Sequence, residues 1–229
     1  MKSEDKKPDY RKIYSIVKKM YEDSEYFSCG HLDETYFTLR VFETAKDIIR
    51  ECGKSCDAQC VLVASLLHDI GKVKLDTSKL FKKGSHMKWN GDHFEEWNRH
   101  PELGVGIARD ILESLDHSDE FISRVCELVK NHDLRDGKND GKSIELQILQ
   151  DADLLADYGI TGFIKPLLYG GVNHKSIINS IEYLKNKGNR IEHEDKLNLP
   201  ISRKIAKEKL RFQKELIEEI SLEILSDDL

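Results

Sequence analysis

Proline is scarce, four in 229 residues, so little in the chain interrupts long helices. Strand signals are scarcer still. β-branched runs are short and hairpin dipeptides few, which argues against a sandwich or a barrel. No apolar run approaches roughly 18 residues, which excludes a transmembrane helix, and the opening MKSEDKKPDY lacks the apolar stretch of a signal peptide. A cytoplasmic location is therefore expected. The net charge of −6 gives no basis for expecting binding to a nucleic-acid polymer. The five cysteines are odd in number and without framework spacing, as in a reducing compartment. Cys52, Cys56 and Cys60 recur every four residues, a helical spacing that would suit zinc. Gly53 and its neighbours break that helix near its start, and structural zinc prefers closer cysteine pairs, so buried or half-buried thiols are the expectation.

What the chain does have is helical periodicity. Residues 9–22 place Ile13, Ile16, Val17 and Met20 on one face. A second helix is expected from about Asp33 to Cys52, and a third from Asp57, a plausible N-cap, through AQCVLVASLLHD. Residues 71–98 show no sustained period and are expected to form an irregular binding loop or lid. Further helices are expected from Pro101 to about Leu115, from Asp119 to His132, over 143–157, 174–187 and 201–226. GITGFIKPLLYGG, between them, is expected to be a short apolar segment with a Gly-Gly stop. The last helix carries Ile205, Leu210, Phe212, Leu216, Ile217, Ile220 and Ile224 near one stripe. No composition break marks a second domain. The expectation is an all-α fold of roughly eight to ten helices, one domain over 1–229 with its core at about 10–160 and C-terminal helices at 174–226 packed upon it.

The chemistry concentrates at VASLLHDIGK. An apolar helix ends there in His68-Asp69, an imidazole and a carboxylate at the edge of a core. Gly71 follows, where backbone approaches closely, and then Lys72, a cation suited to phosphate. His100 opens HPELGVGIARDIL. His132-Asp133 closes CELVKNHD. Asp151 and Asp153 lie in the otherwise apolar ILQDADLLADYG, and on a helix they point in different directions, about 200° apart. Polar groups in apolar helices need partners. One of the two suits a metal ligand and the other a cap.

This set of motifs resembles the HD-domain metal-dependent phosphohydrolase superfamily, in particular its small stand-alone bacterial and archaeal members. VLVASLLHDIGK, HPELGVGIARDIL, CELVKNHD, LQILQDADLLADYGITGFIKPLLYGG and ISRKIAKEKLRFQKELIEEI occur in the family's order, over about residues 10–225. The resemblance implies metal ligands at His68, Asp69 and an aspartate of DAD, with Asp153 chosen for its ADLL context and Asp151 as the alternative. The family's first histidine is expected three residues before Arg40-Val41, where this chain has Phe37. His31, in CGHLDETYFTLRV, is the replacement candidate; the alternatives are a helix cap or a site with three protein ligands.

Imidazole with carboxylate suits one divalent transition ion, Mn²⁺, Fe²⁺, Co²⁺, Ni²⁺ or Zn²⁺, with Mg²⁺ less suited. The implied activity is release of phosphate or pyrophosphate from a nucleotide or similar small phosphate compound by metal-activated water. Asp69, His100 and His132 are the expected catalytic groups. Lys72, His100 and His132 are expected on the substrate, with Lys82 and Lys83 as further phosphate contacts or a solvated loop. Alternatives are a second metal at His100, His132 and Asp133, which would allow di-iron oxygenase chemistry, and a catalytically weak nucleotide-binding or regulatory module. The chain is expected to be a monomer or homodimer.

Overall fold

The computed structural model describes residues 6–26, 34–81, 93–135, 141–186 and 196–224. These residues are helical almost throughout, and no strand occurs among them. The helices are α1 (Tyr10–Glu22), α2 (Glu34–Glu51), α3 (Ala58–Leu67), α4 (Thr77–Leu80), α5 (His93–Trp97), α6 (His100–Ser114), α7 (Asp119–Asn131), α8 (Ile144–Ala156), α9 (Ile160–Val172), α10 (Ile177–Asn186) and α11 (Pro200–Ile224). A 3₁₀ turn, Ile70–Lys74, follows α3. The expected all-α architecture is what the chain adopts.

Helix α3 is the hub. Its sequence AQCVLVASLL is apolar on every side, as a helix surrounded by others must be, and Val61, Val63, Ala64 and Leu67 are fully buried. It packs on α1, α2, α7 and α8. Asp57 caps it as expected, accepting a hydrogen bond from the Cys60 amide at 3.0 Å. Asp9, Ser118 and Ser143 cap α1, α7 and α8 in the same way. The main core runs from Ile13 on α1 to Leu210 on α11. A smaller cluster of Phe163, Leu184 and Ile217 joins α9, α10 and α11.

Three expectations are corrected. The region 71–98 is not irregular throughout, because the 3₁₀ turn, α4 and α5 occupy its described parts. GITGFIKPLLYGG is part of a 13-residue helix with Pro166 inside it. Phe163, partly buried Leu167 and Gly170 lie on one face of that helix, and Gly170 sits so close to Ser180 of α10 that an added Cβ would fall 2.1 Å from its Oγ. On α11 the buried stripe is Ser202, Ala206, Leu210, Gln213, Ile217 and Ser221. Phe212, two residues from Leu210 and so on another face, is 47% exposed.

The cysteines form no metal cluster among the described residues. Cys52 donates to the Ile49 carbonyl at the end of α2, and burial, ahead of the charge of Asp57, pushes the Cys60 thiol up to about 12. No helix among the described residues is long and apolar enough to cross a membrane.

Candidate metal centre

Three histidines reach the site by one local device. His68 follows the last residue of α3, His132 follows the last residue of α7, and His100 lies three residues beyond the end of α5. Each turns its Nδ1 back to the carbonyl three residues earlier: His68 to Ser65 at 2.9 Å, His100 to Trp97 at 2.7 Å, His132 to Val129 at 2.7 Å. A carbonyl oxygen only accepts, so each Nδ1 carries the proton. In the neutral imidazole each Nε2 is then a lone pair, and all three point inward. All three rings are buried. The carbonyl ends of α3 and α7 meet here too, and helix C-termini favour a cation.

Asp69 stands between them. One oxygen, Oδ2, lies 3.2 Å from His68 Nε2 and 2.6 Å from Lys72 Nζ. The other, Oδ1, lies 3.2 Å from His100 Nε2 and 3.5 Å from His132 Nε2. The two Nε2 atoms are themselves 3.2 Å apart. Asp153 completes the His68 side, its Oδ1 3.6 Å from His68 Nε2. Asp133, half-exposed, completes the other, 3.4 Å from His100 Nε2.

Lone pairs and carboxylate oxygens at such distances repel unless a cation lies among them. His68 Nε2 shows this most clearly, because it is buried and makes no hydrogen bond although two carboxylate oxygens are near. A proton on Nε2 relieves the clash as a cation would. Burial alone would depress His68, but Asp69 and Asp153 outweigh it and push its pKa up to about 10. Burial would likewise raise Asp69, but the His68 and Lys72 charges hold it well below the usual carboxylate range. The donor set, imidazole nitrogens with carboxylate oxygens, fits a divalent transition ion. Among the described residues, Asp69, His100 and His132 form a group whose ligand atoms all lie within 4.8 Å of one another.

Glycine makes the convergence possible. A Cβ on Gly71 would fall 1.9 Å from the His100 carbonyl oxygen and 2.6 Å from the Gly104 amide nitrogen. Only a glycine lets the turn after Asp69 press against the first turn of α6 and bring Asp69 to His100. From the opposite side the Tyr21 hydroxyl of α1 donates to the Asp69 carbonyl at 2.8 Å.

The sequence-derived residues have these places. His68, Asp69, His100, His132 and Asp153 converge. His31, Lys82 and Lys83 lie outside the described residues. Asp151 points away from the centre: its buried carboxylate accepts from the Asn198 amide at 2.7 Å, the Asn198 side chain at 2.9 Å and the Leu199 amide at 2.9 Å, tying the start of α11 to α8. Lys72 is buried rather than presented to a pocket. It pairs with Asp69, reaches Glu34 at 3.4 Å and lies 4.7 Å from the centre of the Trp97 ring. Phe37 packs beside His68, ring centres 6.3 Å apart.

Two neighbours escaped sequence reasoning. Glu34 accepts from Tyr26 and pairs with Lys72. Arg135 pairs through Nη2 with Asp153 Oδ2. Burial would raise Asp153, but Arg135, with help from His68, holds it below its ordinary value.

The family model described as HD domain matches residues 38–157. Among solved structures, the chain is similar to YpgQ of Bacillus subtilis in complex with ADP, at 22% identity over 96% of this chain and 100% of that one, TM-score 0.63. It is similar to an HD-superfamily hydrolase from Bacillus thuringiensis at 20% identity, covering 95% and 97%, TM-score 0.62. It is also similar to a predicted HD superfamily hydrolase from an uncultured Thermotogales bacterium at 21% identity, covering 94% and 93%, TM-score 0.59. No curated protein matches the sequence.

Proposed function

This chain belongs to the HD-domain family, and on that premise we propose that it is a divalent-metal-dependent phosphohydrolase acting on a nucleotide or a similar small phosphate compound. The observation that carries the reading is the convergence of three buried imidazole Nε2 atoms on Asp69, each fixed by an Nδ1–H bond to backbone. The ADP bound to the similar YpgQ supports a nucleotide as substrate.

His68, Asp69 and Asp153 would hold one transition ion. When bound, it supplies a water acidic enough to be hydroxide near neutral pH and polarises a phosphoryl oxygen. His100 and His132 face the same space, contact the phosphate and move a proton at Nε2. Lys72 keeps Asp69 ionised and oriented from beneath rather than touching substrate. A second reading, two ions, is favoured by one observation: Asp69 Oδ1 with His100 and His132 is a ligand group of its own.

The test is metal content per chain together with phosphate release from a nucleotide panel, for wild type, Asp153→Ala and His132→Ala after manganese reconstitution. One ion, lost with turnover in Asp153→Ala but retained by an inactive His132→Ala, supports the mononuclear hydrolase. Two ions, one lost with each variant, support the second reading. Wild type with neither metal nor turnover sinks both and leaves a nucleotide-binding module.

A further inference from the structure

Arg135 is poorly explained by structure alone. It lies three residues beyond His132, and its side chain is 16% exposed. A guanidinium has five donors. Nη2 binds Asp153 Oδ2, while Nε is buried and has no hydrogen-bond partner among the described residues. An unused N–H of this kind costs stability unless something with an oxygen comes to it. Its neighbour Asp133 is 40% exposed on its side chain, so the site meets solvent here.

The partner it has is as informative as the one it lacks. Asp153 Oδ1 faces His68, and the guanidinium occupies its Oδ2. A divalent ion beside His68 and a guanidinium on the same carboxylate would repel each other. A tetrahedral oxyanion settles both conflicts: it takes the free Nε–H with an Nη–H in the paired geometry that guanidinium offers phosphate, and its charge separates the two cations.

We propose that Arg135 is a phosphate-binding residue of this site and that it couples cation to anion: guanidinium holds Asp153 until a phosphate group draws it away, so metal and phosphate load together. The proposal rests on the metal-dependent phosphohydrolase reading above and specifies how that site recognises its substrate. Because such coupling is reciprocal, phosphate tightens metal as much as metal tightens phosphate.

The test is calorimetric titration of Mn²⁺ into the full chain, with and without inorganic phosphate, for wild type, Arg135→Gln and Arg135→Lys, each checked for its fold by circular dichroism. Wild type is expected to bind Mn²⁺ roughly tenfold tighter with phosphate, within the usual range of coupling between sites. Arg135→Gln should bind Mn²⁺ more tightly than wild type when phosphate is absent and lose the phosphate effect, with KM for ADP raised far more than kcat is lowered. Arg135→Lys, which keeps the charge but not the fork, should show a reduced phosphate effect, and it carries the test if the glutamine variant does not fold. Full coupling in a folded variant, or no phosphate effect in wild type, overturns the proposal. Coupling without nucleotide turnover would sink the hydrolase reading and leave Arg135 in its role; turnover without coupling would do the reverse.

Discussion

Replacing Gly71 by alanine is the most direct strain that can be placed on this site. The new Cβ would start 1.9 Å from the His100 carbonyl oxygen, with the Gly104 nitrogen at 2.6 Å and the His100 carbonyl carbon at 2.9 Å. All three are backbone atoms of α6, so no side chain can swing away. To bring the closest contact beyond 3.0 Å, the turn and the helix must separate by about 1.1 Å. The Asp69–His100 approach, now 3.2 Å, spans the same seam and would open by a similar amount. Overpacking of a rigid interior costs roughly 1–3 kcal/mol, and backbone clashes belong at the upper end. For a chain of this length, about 3 kcal/mol lowers Tm by roughly 6–12 °C. Thermal unfolding followed by circular dichroism, with Mn²⁺ titration on the same protein, measures both effects. Gly104→Ala is the control, because its Cβ comes closest to the Val129 Cγ1 methyl at 3.2 Å, which can shift by a few tenths of an ångström, and meets the Gly71 backbone nitrogen only at an ordinary contact distance of 3.4 Å. A Gly71→Ala protein with wild-type Tm and wild-type manganese affinity would refute the claim that close backbone approach builds the centre.

Lys72→Met should leave the buried carboxylates of Asp69 and Glu34 facing each other without their cation, a loss of about 3–5 kcal/mol in urea unfolding; a stable variant with only a raised KM would return Lys72 to substrate binding. Asp151→Ala removes the acceptor of three hydrogen bonds from residues 198 and 199 and should cost about 2–4 kcal/mol while leaving Mn²⁺ affinity unchanged, and a loss of metal would show that Asp151 is a ligand after all. Lys209, whose ammonium donates to the Leu155 carbonyl at 2.9 Å, has its pKa lowered to about 8 by burial and then by Arg40. Below pH 8 the lysine is charged in both states and the fold bears the full penalty; between pH 8 and 10.5 the unfolded chain holds more protons, so stability rises with pH. Subtracting the pH profile of Lys209→Met from that of wild type should show this rise, and a flat difference would count against it.

The parts of this fold that show in the sequence are those fixed by local rules. Asp57, Ser118 and Ser143 cap helices by bonds spanning three residues, and α3 declares its burial by being apolar on every side. The helix Ile160–Val172 was obscured because glycines and Pro166 dilute its period, although Gly162 and Gly170 lie at close contacts inside the fold rather than marking a stop. The centre was legible where a motif carries its own geometry: a histidine just past a helix end, bonded back to the third carbonyl, can be inferred at LLHD and KNHD. Arg135 and Glu34 were not legible. Their partners lie 18 and 38 residues away, and the pairings exist only once α8 and the 3₁₀ turn are in place. The burial of Lys72 is hidden in the same way, since IGK reads equally well as a lysine offered to phosphate.

Phe37 bears on how such a site binds at all. It occupies the position where the family resemblance places a first metal ligand, and its ring lies beside His68. The Lys165 ammonium sits 4.1 Å from the centre of that ring and pairs with Asp157. Three carboxylates along this wall therefore pair with a protein cation: Asp69 with Lys72, which it shares with Glu34, Asp153 with Arg135, and Asp157 with Lys165. Buried carboxylates left without partners would destabilise the fold, so these lysines and the arginine let the wall close before any metal arrives. The consequence is competition. On the reading proposed above, a divalent ion entering among His68, Asp69 and Asp153 would compete with protein cations already paired to these carboxylates. On that reading an ion that arrives with an anion is favoured, because a phosphate group would take up the displaced guanidinium together with the metal and the imidazoles.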